Sequence, residues 1–301
     1  MATQAIGARI VFRNVLLLTD FSEPSEAALP FAVGIVRAYG AKLYAFHVLL
    51  PMPASYLTPE STVAALESEE ERAQEEMRRL ESQITGLRHE IAIERDVAVW
   101  PPLEQAIASN YIDLLVLGTH GRTGAQKLLL GSVAEEIFRR AEVPVLTIGP
   151  GVRSTAHNDA RFRRILFATD FSMHSLAAWP HALSLAQENQ ARLLLLHVDN
   201  KTKGHPHAKE SEEATRQMRA ELENLVPVNA AAWFQPEIAI ERGDPRVKIL
   251  DVATDWRADL IVLGVRSAAG RLGAATHLDR ATAHNIVAHA PCPVLTVRGH
   301  S

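Results

Sequence analysis

Phe12-Arg-Asn-Val-Leu-Leu-Leu-Thr-Asp-Phe-Ser22 returns as Phe162-Arg-Arg-Ile-Leu-Phe-Ala-Thr-Asp-Phe-Ser172, an offset of 150. From Phe12 to Val48, 16 of 37 positions match their partners, far above the level expected of unrelated segments, so the chain is an internal duplication. Two later blocks repeat as well. Asp113-Leu-Leu-Val-Leu-Gly118 reappears as Asp259-Leu-Ile-Val-Leu-Gly264, and Pro144-Val-Leu-Thr-Ile148 as Pro293-Val-Leu-Thr-Val297. Between those two blocks the second copy is three residues longer.

Within each copy short apolar runs alternate with amphipathic stretches, the pattern of βαβ units and of a parallel sheet covered on both faces. In the first copy strands are expected near 13–18, 42–49, 91–98, 113–117 and 144–148. Their runs are apolar rather than alternating, as expected for parallel strands buried on both sides. Helices are expected near 24–39, 61–84, 101–110 and 132–141. The long one, rich in Glu and Arg, reads as a solvated outer face with i,i+4 pairs. Pro30 and Pro180 fall inside the first helix of each copy, where a missing N–H should kink or tighten it. The domains predicted are 9–150 and 161–299, joined by a Gly/Pro-bearing polar linker from Gly149 to Ala160.

A length of 301 residues accommodates two domains, each with its own core. The formal net charge of −4 argues against binding to nucleic acid or to an anionic membrane by bulk charge. Met1 to Ile10 lacks a long apolar run, and no stretch approaches the length of apolar sequence that spans a bilayer. The single cysteine, Cys292, cannot form an intramolecular disulfide and reads as a small buried hydrophobe. These features fit a cytoplasmic protein.

The segment richest in chemistry is Gly118-Thr-His-Gly121-Arg-Thr-Gly-Ala-Gln-Lys-Leu-Leu-Leu-Gly131-Ser132, spelled G-x2-G-x9-G-S, between a buried strand and a helix. Glycines permit positive φ and close approach of the backbone, and successive N–H groups at a helix start form an anion cradle. Phosphate is the natural guest. Ser132 can donate a hydroxyl hydrogen bond, or act simply as the helix N-cap. The loop is neither a Walker A sequence nor a G-x-G-x-x-G fingerprint. Its position gives it weight: in open parallel sheets ligands bind at the carboxyl ends of strands where the strand order reverses, here between the first and fourth strands. Thr19 and Asp20 end the first strand. Asp20 can accept from a ribose hydroxyl, hold a magnesium ion together with phosphate oxygens, or complement a helix dipole.

The Thr-Asp-Phe-Ser ending of the first strand, His47-Val48 ending the second, and the G-x2-G-x9-G-S loop followed by a helix and Pro-Val-Leu-Thr together resemble the universal stress protein family. The resemblance covers nearly the whole chain, twice. It implies a fold of class α/β: two tandem open parallel five-stranded sheets with helices on both faces, Rossmann-like, with strand order 3-2-1-4-5. It implies ATP as ligand; Mg2+ at Asp20 rests on the reading of that carboxylate given above. Thr19, Asp20 and Val48 would surround adenine and ribose; Gly118, His120, Gly121, Arg122, Gly131, Ser132 and Val133 would surround the phosphates. For His120 and Arg122 solvent exposure on the loop is the alternative. His47 reads as a satisfied histidine at a strand end.

The second copy keeps Thr169, Asp170, Val198 and Gly264, but Ser267 stands at the second glycine position. Counting nine onward gives His277-Leu278; with the three extra residues inside the loop it gives Arg280-Ala281. Neither restores the motif, although Gly270 and Gly273 could remake a cradle locally. The second copy is therefore expected to bind nucleotide weakly or not at all.

Three functions follow: a nucleotide-binding stress or signalling protein acting through shape or partner binding, a slow ATPase, and an interaction scaffold without nucleotide. For hydrolysis Asp20, His120 and Arg122 are the available groups, but no dedicated constellation of base and cation stands out. Gly204-His-Pro-His207 lacks a nearby acid or cysteine and reads as a solvated loop rather than a metal site. Family resemblance implies that the two copies pair as an intrachain pseudo-dimer, Val145–Ile148 facing Val294–Val297. Whether chains form a homodimer is left open.

Overall fold

The computed structural model describes residues 10–51, 59–119, 130–152, 161–200, 208–227, 235–266 and 276–299, with the side chains of 59–65, 208–211 and 276–280 left aside. The chain divides into two compact units, one built on residues 11–150 and the other on residues 161–301.

The first unit runs β1 (Asn14–Leu18), α1 (Glu23–Glu26), α2 (Leu29–Tyr39), β2 (Lys42–Leu49), α3 (Pro59–Gln83), β3 (His89–Arg95), α4 (Trp100–Ser109), β4 (Leu114–Gly118), α5 (Ser132–Arg140) and β5 (Val145–Ile148). Its strands lie in the order β3-β2-β1-β4-β5, every neighbouring pair parallel. This is the doubly wound order the sequence predicts, with the switch point between β1 and β4. The second unit repeats it with β6 (Arg164–Ala168), α6 (Met173–Leu176), α7 (Trp179–Asn189), β7 (Arg192–Asp199), α8 (Ala208–Glu223), β8 (Glu237–Arg242), α9 (Pro245–Asp255), β9 (Leu260–Arg266), α10 (Thr276–His289) and β10 (Val294–Gly299). Its order is β8-β7-β6-β9-β10, again parallel throughout.

The cores follow the apolar runs. Val15 to Leu18 and Leu114 to Leu117 are buried, as are Ile165 to Ala168 and Leu260 to Leu263. At the amino ends of these strands one carboxylate ties the register. Asp113 accepts from the backbone N–H groups of Arg13 (2.7 Å) and Asn14 (3.1 Å), and Asp259 accepts from those of Arg163 and Arg164 (both 2.9 Å). Burial nevertheless outweighs these bonds at Asp113 and raises its carboxyl above the ordinary range.

Three expectations are corrected. The first helix does not kink at its proline. It is two helices, and Pro30 and Pro180 sit in the first turn of the second one, where no intrahelical N–H is needed. Strand β3 covers His89–Arg95 rather than 91–98. Asp96 ends it, its carboxylate accepting from Ala98 N–H (3.2 Å), and Val99 already precedes α4. Helix α3 has the solvated outer face expected of it opposite a buried seam of Ala73, Met77 and Leu80, but the expected i,i+4 pairs are not the ones that form. Among the described residues the ion pairs within the helix are i,i+3, Glu75 with Arg78 (2.6 Å) and Glu76 with Arg79 (3.9 Å), and Glu70 reaches Arg95 of β3 (2.7 Å).

Candidate functional site

The site region is the carboxyl edge of β1, β2 and β4. Immediately after β1 the chain turns sharply: Phe21 takes φ 59, and its counterpart Phe171 takes φ 62. A left-handed phenylalanine is strained, and here a set of bonds holds it. Phe21 N–H donates to Thr19 Oγ1 (3.0 Å), Ser22 N–H donates to Asp20 Oδ1 (3.1 Å), and Ser22 Oγ also donates to Asp20 Oδ1 (2.5 Å). Ser25, buried in α1, donates to Thr19 Oγ1 (2.9 Å) and accepts from Asp20 N–H (3.2 Å). His47 Nδ1 lies 2.7 Å from Thr19 O, which can only accept, so Nδ1 carries the proton. The His47 ring packs against Phe21 with centroids 4.5 Å apart and the planes tilted by 44°. His47 is thus the satisfied strand-end histidine that its sequence position suggests.

The second unit copies this turn. Phe171 N–H donates to Thr169 Oγ1 (3.0 Å), Ser172 N–H donates to Asp170 Oδ1 (2.9 Å), Thr169 Oγ1 and Ser175 Oγ are 2.8 Å apart, and His197 Nδ1 is 2.9 Å from Thr169 O. At Asp170 desolvation acts to raise the pKa, yet the bonds from Ser172 and Ser175 together hold the carboxyl below the ordinary range. Ser25 and Ser175 were not singled out in the sequence; their recurrence 150 residues apart is the signal that could have found them.

Gly118 ends β4, and the absence of a side chain there has a packing reason. A Cβ would lie 2.6 Å from the Pro24 carbonyl oxygen, and at Gly264 it would lie 2.1 Å from that of His174. The short helices α1 and α6 therefore rest directly on the strands. Thr119 is buried. Its N–H donates to Ile148 O (2.9 Å) and its carbonyl accepts from Gly131 N–H (2.8 Å), which holds the two ends of the glycine loop together. Residues 120–129, with His120, Gly121 and Arg122, lie outside the described residues, as does 201–207 with Gly204 to His207.

Ser132 is not the N-cap of α5. Gly131 is, at φ −62 and ψ 151, and no side chain caps the helix. The first helical bond runs from Glu135 N–H to Gly131 O (2.8 Å), so the N–H groups of Ser132, Val133 and Ala134 precede the ladder. Ser132 is exposed, Gly131 and Val133 are partly exposed, and Val48 is buried at the end of β2.

In the second unit the same place is built differently. The buried residues Ala134, Ile137 and Ala141 of the first unit correspond to Ala283, Ile286 and Ala290, an offset of 149. Arg280-Ala281 is therefore the counterpart of Gly131-Ser132, and both lie inside α10, which starts at Thr276. His277-Leu278 lies inside it too. Strand β9 also runs two residues further than β4, pairing Val265 with Arg298 and Arg266 with Gly299. Gly270 and Gly273 fall outside the described residues.

No group of three or more metal-ligating side chains occurs among the described residues. Cys292 is buried, and burial, reinforced by the charge of Asp259, pushes its thiol up to about 12, which leaves it inert. No described helix is long and apolar enough to cross a membrane.

Strand order and switch-point geometry define a tandem of doubly wound parallel α/β units. The model of the universal stress protein family matches residues 12–149 and again residues 161–298, and the chain belongs to that family as a two-domain member. It is similar to a universal stress protein of Mycolicibacterium smegmatis, 26% identical over 305 residues, which covers 95% of this chain and 97% of that relative. A universal stress protein of Thermus aquaticus is 31% identical over 138 residues, covering 46% of this chain and 99% of its own length, so it corresponds to one unit. The crystal structure of a universal stress protein from Archaeoglobus fulgidus shares the fold with a TM-score of 0.71 at 22% identity, covering 95% of this chain and 98% of that one.

Proposed function

We propose that the first unit binds ATP with Mg2+ and that the protein acts in stress response or signalling through a nucleotide-dependent change in conformation or partner binding. The observation that carries this reading is the start of α5. Gly131 takes a backbone conformation open to any residue, so positive φ is not the reason for glycine there; its preference at an N-cap and the space it leaves for a ligand are the two that apply. Beside it the N–H groups of Ser132 and Val133 stand ahead of the helix ladder at the positive end of the helix dipole, a donor set suited to phosphate. In this reading Thr19, Asp20 and Val48 form the adenine and ribose end. Gly118, His120, Gly121, Arg122, Gly131, Ser132 and Val133 form the phosphate end. Mg2+ would be held by Asp20 with phosphate oxygens and water, because magnesium usually takes one or two carboxylates beside its phosphate ligands.

The test is calorimetric titration of ATP with Mg2+ into the full chain and into Gly121→Ala plus Gly131→Ala. The double variant is expected to bind about a hundredfold more weakly, through lost donors and lost space. An Ala N-cap costs the helix only about 1 kcal/mol or less relative to Gly, so the variant should fold. Unchanged affinity in the variant, or no binding to the parent chain, would refute the proposal.

A further inference from the structure

The first unit carries a cavity of about 340 Å3 between α1–α2 and α3, on the face of the sheet above β1. That volume lies in the range of small-molecule sites. Of the residues placed above in the nucleotide site, only Thr19 touches it.

Its floor is apolar: Leu17, Phe21, Leu29 and Leu80. Its rim carries Glu23, Glu26 and Glu76 against one cation, Arg79, which is paired with Glu76 at 3.9 Å. Glu23 and Glu26 are exposed and have no ion-pair partner among the described residues. An apolar floor under a rim with excess negative charge selects a ligand with a hydrocarbon body and a cationic head.

The duplication supplies an internal control. Leu17 and Leu29 correspond to Phe167 and Trp179, whose rings meet with centroids 5.4 Å apart. Glu23 and Glu26 correspond to Met173 and Leu176. Thus the second unit has larger side chains at these two floor positions and lacks the two acids of the short helix. The fold itself requires neither the space nor the charge, since the same turn forms at Thr169 to Ser175 without them.

We propose that this cavity is a second ligand site, for a small amphipathic organic cation such as an alkylammonium. The experiment is titration of hexylamine, hexan-1-ol and hexanoate into the full chain without nucleotide, followed by ligand-observed NMR. Hexylamine is expected to bind saturably, about tenfold more tightly than hexanol, the difference two partly exposed ion pairs can supply, and hexanoate to show no saturable binding. Leu29→Trp should remove hexylamine binding by filling the floor. Glu23→Gln plus Glu26→Gln, at exposed positions that leave the core untouched, should weaken hexylamine about tenfold and leave hexanol unchanged. Absence of saturable hexylamine binding, equal binding of hexylamine and hexanol, or indifference to the Gln variant would overturn the proposal. None of these outcomes depends on whether the first unit binds ATP.

Discussion

The two units share their sheets, their β1 and β6 turns and their buried Ser-Thr-His contacts, and they part at the start of the helix after the fourth strand. In the first unit α5 begins at Ser132, directly behind Gly131. In the second, α10 begins at Thr276, five residues ahead of Ala281, the counterpart of Ser132. A helix running through that position turns its N–H groups inward to its own carbonyls, whereas a helix starting there offers them to a ligand. Loss of the glycine motif in the second copy is therefore more than loss of small residues. The backbone donors are used elsewhere.

The comparison can be broken or sharpened by exchanging residues between units. The largest effect is expected where strand and short helix touch. Gly264→Ala sets a Cβ 2.1 Å from the His174 carbonyl and should destabilise the second unit by roughly 3 kcal/mol; Gly118→Ala, at 2.6 Å, should cost the first unit somewhat less. Chemical denaturation of each variant reads both, and equal, negligible losses would mean that α1 and α6 can lift away. Next, Ser25→Ala and Ser175→Ala each strand buried polar partners and should cost about 2 kcal/mol apiece. A loss in one unit only would show that the shared turn is not held by the same bonds.

A smaller effect depends on pH. Burial lowers the His181 pKa to about 4, only partly offset by its bond to the Ala177 backbone, against 6.5 for the free side chain. The folded-state value lies below the unfolded one, so the neutral imidazole's contribution is present above pH 6.5 and is lost as pH falls from 6.5 towards 4. Between pH 7 and pH 5 the second unit should lose between about 1 and 2 kcal/mol from this residue. The first unit has Phe31 at the same place, so His181→Phe should flatten the pH dependence of unfolding; an unchanged slope would exclude His181 as its source. Smallest of all, Gly40 closes α2 at φ 61 while Gln190 closes α7 at φ 50. Gln190→Gly should therefore stabilise the second unit by up to about 1 kcal/mol, and a loss of stability would show that the Gln190 side chain makes up for its backbone strain.

Repetition made the fold legible. Two copies of the same apolar runs, each bounded by Thr-Asp-Phe-Ser or by Gly, identified parallel strands with little ambiguity, because buried strands tolerate few polar residues. Boundaries were less legible where they depend on one side chain bonding to backbone. Asp96 ends β3 between Arg95 and the apolar Val97 to Val99, and Ser22 caps α1 by accepting from Ser25 N–H (3.4 Å). The site was legible as a motif and not as a geometry. The composition of Thr276 to Arg280 contains neither glycine nor proline to mark where α10 begins, so the decisive difference between the copies could not be read from it. The cavity was illegible for another reason: Leu17 and Leu29 are ordinary core residues until Phe167 and Trp179 are seen in their places.

Nucleotide stoichiometry tests the central claim most directly. Titration of the full chain with ATP and Mg2+ should saturate close to one nucleotide per chain, with the site in the first unit. Saturation at two per chain, or at one that survives Gly121→Ala plus Gly131→Ala, would contradict the account.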